Sequence, residues 1–123
     1  YTKAIELNPD DAHFYHDRGV LKSTLKDYKG QMADYTKAIE LNPDYASVYY
    51  YRGILKKNLK DYKGAIADYT KAIELNPDKI EAYVNSGIIK ENLGDLNGAC
   101  KDWRKAASLG YEDAAEWVRE VCN

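Results

Sequence analysis

The feature that most constrains the fold is a ten-residue sequence that occurs three times without change. Tyr-Thr-Lys-Ala-Ile-Glu-Leu-Asn-Pro-Asp begins at Tyr1, at Tyr35 and at Tyr69, so the interval is 34 residues both times. A fixed period of this length indicates one supersecondary unit stacked against copies of itself. The period divides the 123 residues into three full units, with a half unit before them and a tail after them. We predict a single repeat domain with these segments: 1–11, 12–45, 46–79, 80–113 and 114–123.

Each unit is predicted to form two helices. In the middle unit, apolar or small residues recur at helical intervals over 49–59 and again over 62–75. Asp61 stands where the second helix needs an N-cap, because its carboxylate can accept the first unpaired amide hydrogens. Pro77 ends that helix, since the residue before a proline is disfavoured in the α region.

The start of the next first helix also has a capping signal. Asp78 is followed three residues later by Glu81, which is the spacing of a capping box. The sequence therefore predicts Asp78 as the N-cap of the first helix in the third unit.

Small and aromatic residues also follow the 34-residue period. A glycine inside a helix costs about 1 kcal/mol relative to alanine, so its recurrence predicts a close helix crossing. Recurring alanines mark the second helices, and large aromatic residues are expected to fill the core around each crossing. These positions are Gly19, Gly53 and Gly87; Ala38, Ala72 and Ala106; Tyr15, Tyr49 and Tyr83; and Tyr35, Tyr69 and Trp103.

On these residues the chain resembles the tetratricopeptide repeat family over nearly its whole length. The resemblance implies an all-α, right-handed α-solenoid of antiparallel helix pairs, with a cap helix at 114–123, that serves as a non-catalytic scaffold for protein interaction. Three positions depart from the family pattern. Gln31 replaces a small residue, Lys56 replaces an aromatic one, and the third unit has Tyr111 where the second has Pro77. The residues that carry the resemblance are Tyr49, Gly53, Tyr62, Ala65, Tyr69, Ala72 and Pro77, with their equivalents one period away.

In this family the first helices line a concave groove, which implies a binding surface here. Valine and isoleucine recur at one groove position, tyrosines widen the apolar strip, and asparagines can bond both N–H and C=O of a peptide backbone. We therefore predict that the groove binds a peptide or helical segment of another protein. The predicted groove residues are His16, Asp17, Val20, Tyr50, Tyr51, Ile54, Asn58, Val84, Asn85, Ile88 and Asn92.

An alternative is that the apolar strip only packs neighbouring helices together. The chain would then be a structural spacer or a self-assembly unit with an unoccupied groove. The half unit 1–11 lacks its own first helix, so its exposed face could drive formation of a homodimer.

One family subtype is disfavoured by the groove residues. Tetratricopeptide domains that hold chaperone C-terminal carboxylates use a clamp of lysine, asparagine and arginine. The corresponding positions are His16, Val20, Tyr51, Glu81 and Asn85, and the charge of Glu81 would repel a carboxylate.

Catalytic and metal-binding signals are weak. His13, His16 and Asp17 are spaced to share one helix face and so could converge on a divalent metal, but a polar patch on an exposed helix face is the simpler explanation. The sequence contains no glycine-rich phosphate loop and no serine–histidine arrangement. We expect neither a cofactor nor an enzyme activity.

Two cysteines leave two interpretations open. Cys100 and Cys122 are about equally far from a predicted turn near Gly110, so antiparallel helices could bring them together as a disulfide. They could instead be two buried, reduced thiols that act as small hydrophobic residues.

Charge and hydropathy narrow the class of partner. A net charge of −2 and a pI near 5.7 do not fit a nucleic-acid-binding surface. No stretch approaches the length of about 18 apolar residues that a membrane span needs. Nothing specifies a compartment, and the cytoplasm is the default expectation.

Lysines cluster where the two helices of a unit meet, and stacking would align them into a basic rim. That rim could attract an acidic partner, although solvated helix ends explain it too. The lysines are Lys22, Lys26 and Lys29 in the first unit, and Lys56, Lys57, Lys60 and Lys63 in the second.

Overall fold

The computed structural model describes residues 9–122, and over this range it contains seven α-helices and no strand. None of these helices combines the length and the apolar character that crossing a bilayer requires. In chain order the helices are α1 (Pro9–Thr24), α2 (Tyr28–Leu41), α3 (Ala46–Asn58), α4 (Tyr62–Leu75), α5 (Ile80–Asn92), α6 (Leu96–Ser108) and α7 (Glu112–Val121).

The helices pack as three consecutive hairpins and a cap. The closest packing joins α1 with α2, α3 with α4, and α5 with α6. Between hairpins, α2 packs on α3 and α4 packs on α5, so each unit packs chiefly on its neighbours, as expected of a solenoid. The last helix, α7, packs on α6. The predicted all-α solenoid of helix pairs is confirmed.

The second helix of every hairpin begins at a capping aspartate. The carboxylates of Asp27, Asp61 and Asp95 accept hydrogen bonds from the glycine N–H three residues ahead, at 3.1, 3.0 and 2.9 Å. Each bond satisfies an amide that has no partner inside the helix. The N-cap predicted at Asp61 is confirmed.

The N-cap predicted at Asp78 is wrong. The cap of α5 is Lys79, which makes no side-chain capping bond. Asp78 lies one residue too early, in a turn where its own N–H donates to Asn76 Oδ1 at 3.3 Å. Asparagine favours such local turns, so the side chain of Asn76 organises the connection that the sequence assigned to Asp78.

The recurring glycines lie at close crossings between the two helices of each hairpin. A Cβ atom at Gly53 would be 2.8 Å from Tyr69 Cε1, and one at Gly19 would be 2.7 Å from Tyr35 Cε1. The Gly87 crossing has the Trp103 indole in the same place. Any side chain at these positions would displace a core aromatic ring, which confirms the packing explanation for the glycines.

The turn inside each hairpin requires a left-handed residue. Gly94 adopts φ +89° there, which glycine does without strain. The equivalent residues are lysines, and Lys26 and Lys60 are held at φ +56° and +67°. A non-glycine residue in this region is strained, so the first two hairpins are less well suited to their turn than the third.

Ion pairs that the sequence interpretation missed join the helices of each hairpin. Asp68 is buried, and Arg52 donates two hydrogen bonds to it, both 2.8 Å long. Lys56 Nζ lies 3.1 Å from the same carboxylate. This contact explains the departure from the family pattern at Lys56, because the lysine provides charge to a buried acid.

The first hairpin has the same arrangement around Asp34. Arg18 contacts it at 2.7 and 3.0 Å, and Lys22 at 3.1 Å. Burial alone would raise the pKa of the Asp34 carboxyl, but hydrogen bonds from Arg18 and Lys22 outweigh burial and hold the pKa below its usual value. Lys22 and Lys56 therefore do not belong to the predicted basic rim, because both pair with a buried carboxylate.

The third hairpin keeps only part of this arrangement. Ser86 stands one period after Arg52, so this position provides no arginine to Asp102. Lys90 Nζ lies 2.9 Å from Asp102 Oδ2 without the alignment of a hydrogen bond. Within residues 9–122, the buried acid of this hairpin has one cationic partner where the others have two.

The tail forms a cap helix that begins at Glu112, two residues before the predicted boundary. Ala114 is fully buried, and the Trp117 ring lies edge-on to Trp103 at 5.4 Å between centroids. Cys122, at the C-terminal end of α7, is joined to Cys100 of α6 by a disulfide, with the two Cα atoms 5.7 Å apart. Arg104 also donates to the Cys122 carbonyl oxygen at 3.2 Å.

Candidate functional site

None of the eleven predicted groove residues is fully buried. Val20 and Ile88 are apolar but still 37% and 38% exposed. The others divide into half-buried and exposed side chains. Half-buried are His16, Tyr50, Tyr51, Ile54, Val84 and Asn85; exposed are Asp17, Asn58 and Asn92.

Eight of these eleven residues line three cavities that border the first helices. The central cavity, of about 440 Å³, is lined by Tyr50, Ile80, Glu81, Val84, Asn85 and Tyr111. A cavity of about 350 Å³ in the first half of the chain includes Val20, Tyr51, Ile54 and Asn58. A smaller one, of about 180 Å³, is lined by Ile88, Glu91, Trp103, Trp117 and Val121. His16, Asp17 and Asn92 line none of them.

The central cavity is apolar with a small number of oriented polar groups. Asn85 Nδ2 donates to Tyr50 Oη at 3.0 Å, which fixes both side chains across α3 and α5. The Lys79 ammonium lies 4.6 Å from the centre of the Tyr50 ring, in a cation–π contact. Burial raises the pKa of the Tyr50 phenol, and the negative charge of Glu81 raises it further.

Some groove residues also hold the solenoid together. Tyr50 and Ile54 pack on the buried cluster formed by Ala65, Tyr69 and Ile89. Tyr51 packs on the neighbouring cluster, its ring stacked on Tyr35 with centroids 6.3 Å apart. For these three side chains, packing between helices accounts for much of their burial, as the spacer interpretation expects.

At the N-terminal end of this surface, two histidines and an aspartate meet Tyr45. Tyr45 Oη lies within hydrogen-bonding distance of both histidines, 2.9 Å from His13 Nδ1 and 3.3 Å from His16 Nδ1. Asp17 is 3.1 Å from His13 Nε2 and 3.6 Å from His16 Nδ1. Burial lowers the pKa of His16, although the charge of Asp17 acts in the opposite direction.

This cluster is also a candidate cation site. The ligand atoms of His13, His16 and Asp17 lie within 4.8 Å of one another. Contacts within the cluster and with Tyr45 engage both ring nitrogens of His13 and Nδ1 of His16, whereas the buried His16 Nε2 has no hydrogen-bond partner among the described residues.

The sequence interpretation missed three residues that surround the groove. Tyr45 and Lys79 occupy equivalent positions, 34 residues apart and just before a first helix, and each contacts a groove side chain. The 34-residue spacing could have identified this pair as a position that borders the groove. Tyr111 had no such signal, because the period places it opposite Pro77. The dimer face predicted on 1–11 falls mostly outside the described residues.

Comparisons with known proteins agree with this architecture. Three models described as tetratricopeptide repeat match residues 12–45, 46–79 and 68–101. A search of curated proteins found no match.

Several solved structures have the same fold. The crystal structure of MamA is 28% identical with a TM-score of 0.79, and the alignment covers 85% of this chain. This chain spans 61% of the length of that protein. The Arabidopsis OM64 TPR domain is 25% identical with a TM-score of 0.81, and covers 91% of this chain and 97% of its own.

A third structure, the first TPR of Spaghetti (RPAP3) bound to the HSP90 peptide SRMEEVD, has a TM-score of 0.84 at 22% identity. The alignment covers 95% of this chain and 94% of that one, and at this identity it shows the fold alone. With the repeat period, the hairpins and the family models in agreement, the chain belongs to the tetratricopeptide repeat family, as three repeats followed by a C-terminal helix.

Proposed function

We propose that this chain is a non-catalytic scaffold that binds a peptide segment of another protein along the face of α1, α3 and α5. The observation that carries the proposal is the row of three cavities along these helices. Ligand sites are concave, mostly apolar and oriented by a few polar groups, and the central cavity has this composition.

The exposed apolar side chains support this proposal. Val20 and Ile88 remain more than a third exposed, although the first helices of the second and third hairpins bury Val48 and Ile89. Removing that area from water would contribute to binding at about 25 cal/mol per Å². The tyrosines of the central cavity add large, rigid contact surfaces of the kind enriched at interfaces.

The asparagines provide the polar component. Asn85 already donates one N–H to Tyr50, which holds its amide in place beside the central cavity. Asn58 is exposed and lines the cavity of about 350 Å³. Amides placed in this way can bond the backbone of a bound peptide, so an extended segment would be recognised partly without regard to its sequence.

The charges oppose recognition of a chain-terminal carboxylate. The peptide in the Spaghetti (RPAP3) structure comes from HSP90. Among the clamp positions of this chain, Glu81 lines the central cavity and would repel a carboxylate. Val20 and Tyr51, at two other clamp positions, carry no positive charge. We therefore propose an internal peptide segment with apolar side chains as the ligand.

The test begins with selection of binders from a phage-displayed library of random 12-residue peptides against residues 1–123. Enriched peptides are then measured by isothermal titration calorimetry with the wild type and with the double variant Val20→Glu/Ile88→Glu. Two charges placed on the apolar strip should weaken binding by about tenfold or more.

Leu21→Glu is the matched control, because Leu21 is 64% exposed and adjacent to Val20 but lines none of the three cavities. It should leave affinity within about twofold of the wild type. A library that yields no binder, or a Leu21 variant as impaired as the double variant, would contradict the proposal. The first outcome would favour the spacer interpretation.

A further inference from the structure

The cap helix α7 packs on α6 through Ala114, Trp117 and Val118, and its C-terminal end is joined to α6 by the disulfide. It has ten residues, shorter than the length at which isolated helices are stable in water. Among the described residues it packs chiefly on α6, and Ala114 is its one fully buried residue. The Cys100–Cys122 bond and the hydrogen bond from Arg104 to the Cys122 carbonyl oxygen fix the C-terminal end of this short helix.

The same helix forms part of the groove. Trp117 and Val121 line the small cavity opposite Ile88. Tyr111, directly before α7, lines the central cavity with Tyr50 and Asn85. The Tyr111 and Trp117 rings are in contact, 5.9 Å between centroids, so movement of α7 would alter both cavities.

We propose that the redox state of the Cys100–Cys122 pair controls the C-terminal half of the groove. This inference rests on the proposed function of that surface. With the disulfide formed, α7 is seated and the two cavities are complete. With the disulfide reduced, the C-terminal turn of α7 separates from α6, the small cavity opens, and peptides that contact Tyr111 or Trp117 bind less tightly.

The reduction is a balanced thiol–disulfide exchange with a dithiol reductant. A thiolate of the reductant attacks one sulfur of the pair, and a mixed disulfide forms as the other cysteine leaves as a thiolate. The second thiol of the reductant then displaces the remaining cysteine. Cys100 and Cys122 together gain two electrons and two protons. The dithiol reductant loses two electrons and two protons and becomes a disulfide. Cys122 is the more accessible sulfur-bearing residue, since Cys100 is only 5% exposed.

Hydrogen-exchange mass spectrometry of the oxidised and dithiothreitol-reduced protein tests the first step. Amides of 112–121 should exchange about tenfold or more faster after reduction, while those of 28–41 in α2 stay unchanged. The variant Cys100→Ser/Cys122→Ser should behave like the reduced protein and should not respond to dithiothreitol.

Two results would overturn the inference at this step. Unchanged exchange over 112–121 would mean that α7 is seated without the bond. Equal acceleration in every helix would mean that the disulfide stabilises the whole domain and does not control one part of it. Neither measurement needs a partner, so failure here is distinct from failure of the proposed function.

The second step uses the peptides selected on the oxidised protein. Those whose affinity falls on Tyr111→Ala substitution should also bind the reduced protein at least about fivefold more weakly. Equal affinity for both redox states would refute control of the groove, even if α7 loosens.

Discussion

The buried carboxylates allow a prediction in which one hairpin serves as the control for another. Asp68 accepts two hydrogen bonds from Arg52 and lies 3.1 Å from Lys56 Nζ. Asp102, one period later, has one cationic partner in the part of the chain that the structure describes, Lys90 at 2.9 Å. Asp68→Ala leaves two cations without their partner, whereas Asp102→Ala leaves one.

The size of the effect follows from the number of contacts and their exposure. A hydrogen bond to a charged group contributes about 1.5–3 kcal/mol, and removing one member of a buried ion pair costs about 3–5 kcal/mol. The side chains of Arg52 and Lys56 are 18% and 21% exposed, so both cations recover part of their hydration. We expect Asp68→Ala to lower the free energy of unfolding by about 3 kcal/mol and Asp102→Ala by about 1.5 kcal/mol.

Urea denaturation followed by circular dichroism at 222 nm measures both variants, with helicity in zero urea as the check that each still folds. The reasoning fails if Asp68→Ala costs less than about 1 kcal/mol, since the triad would then be a weak surface pair. It also fails if Asp102→Ala is as destabilising as Asp68→Ala.

Two further predictions use the hairpin turn and the histidine cluster. Lys60 holds φ +67° where Gly94 stands one unit later, so Lys60→Gly should raise the free energy of unfolding by about 0.5–1 kcal/mol. Lys60→Ala keeps the strain, and an equal gain from it would show that backbone conformation is not the cause. Because burial lowers the pKa of His16, folding disfavours its protonated form. The stability that His16 contributes is therefore complete above about pH 6.5 and is lost as pH falls through its lowered pKa. In urea titrations between pH 7.5 and 5, His16→Gln should reduce the loss of stability, and identical pH profiles for His16→Gln and the wild type would contradict this assignment.

The sequence predicted most of the fold because the repeat makes local patterns unambiguous. Asp61, Gly53 and Tyr69 each have equivalents at a fixed distance, so their roles as cap, crossing and core could be inferred three times over. The prediction failed at Asp78, because the turn made by Asn76 places Asp78 one residue before the helix cap at Lys79. Which of two adjacent residues becomes the N-cap depends on the backbone geometry of the preceding turn, and residue spacing does not specify that geometry.

The candidate site was predicted less completely. Its apolar strip follows the period, so Val20, Ile54 and Ile88 could be found together. Tyr111 could not, because it stands at the position of Pro77 in the preceding unit, and it lines the central cavity directly before α7. The roles of Lys22 and Lys56 were also misassigned, since spacing places them on the edge of the hairpin while a buried aspartate draws them inward.

By itself, the sequence determined the architecture of this protein, because a 34-residue period leaves one efficient way for successive amphipathic helix pairs to bury their apolar faces. The tertiary structure alone decided how far Val20 and Ile88 stay exposed, which lysines pair with buried acids, and that Tyr111 and α7 help to line two of the cavities. These properties depend on distances between side chains from different units. Residue spacing within one unit cannot specify them.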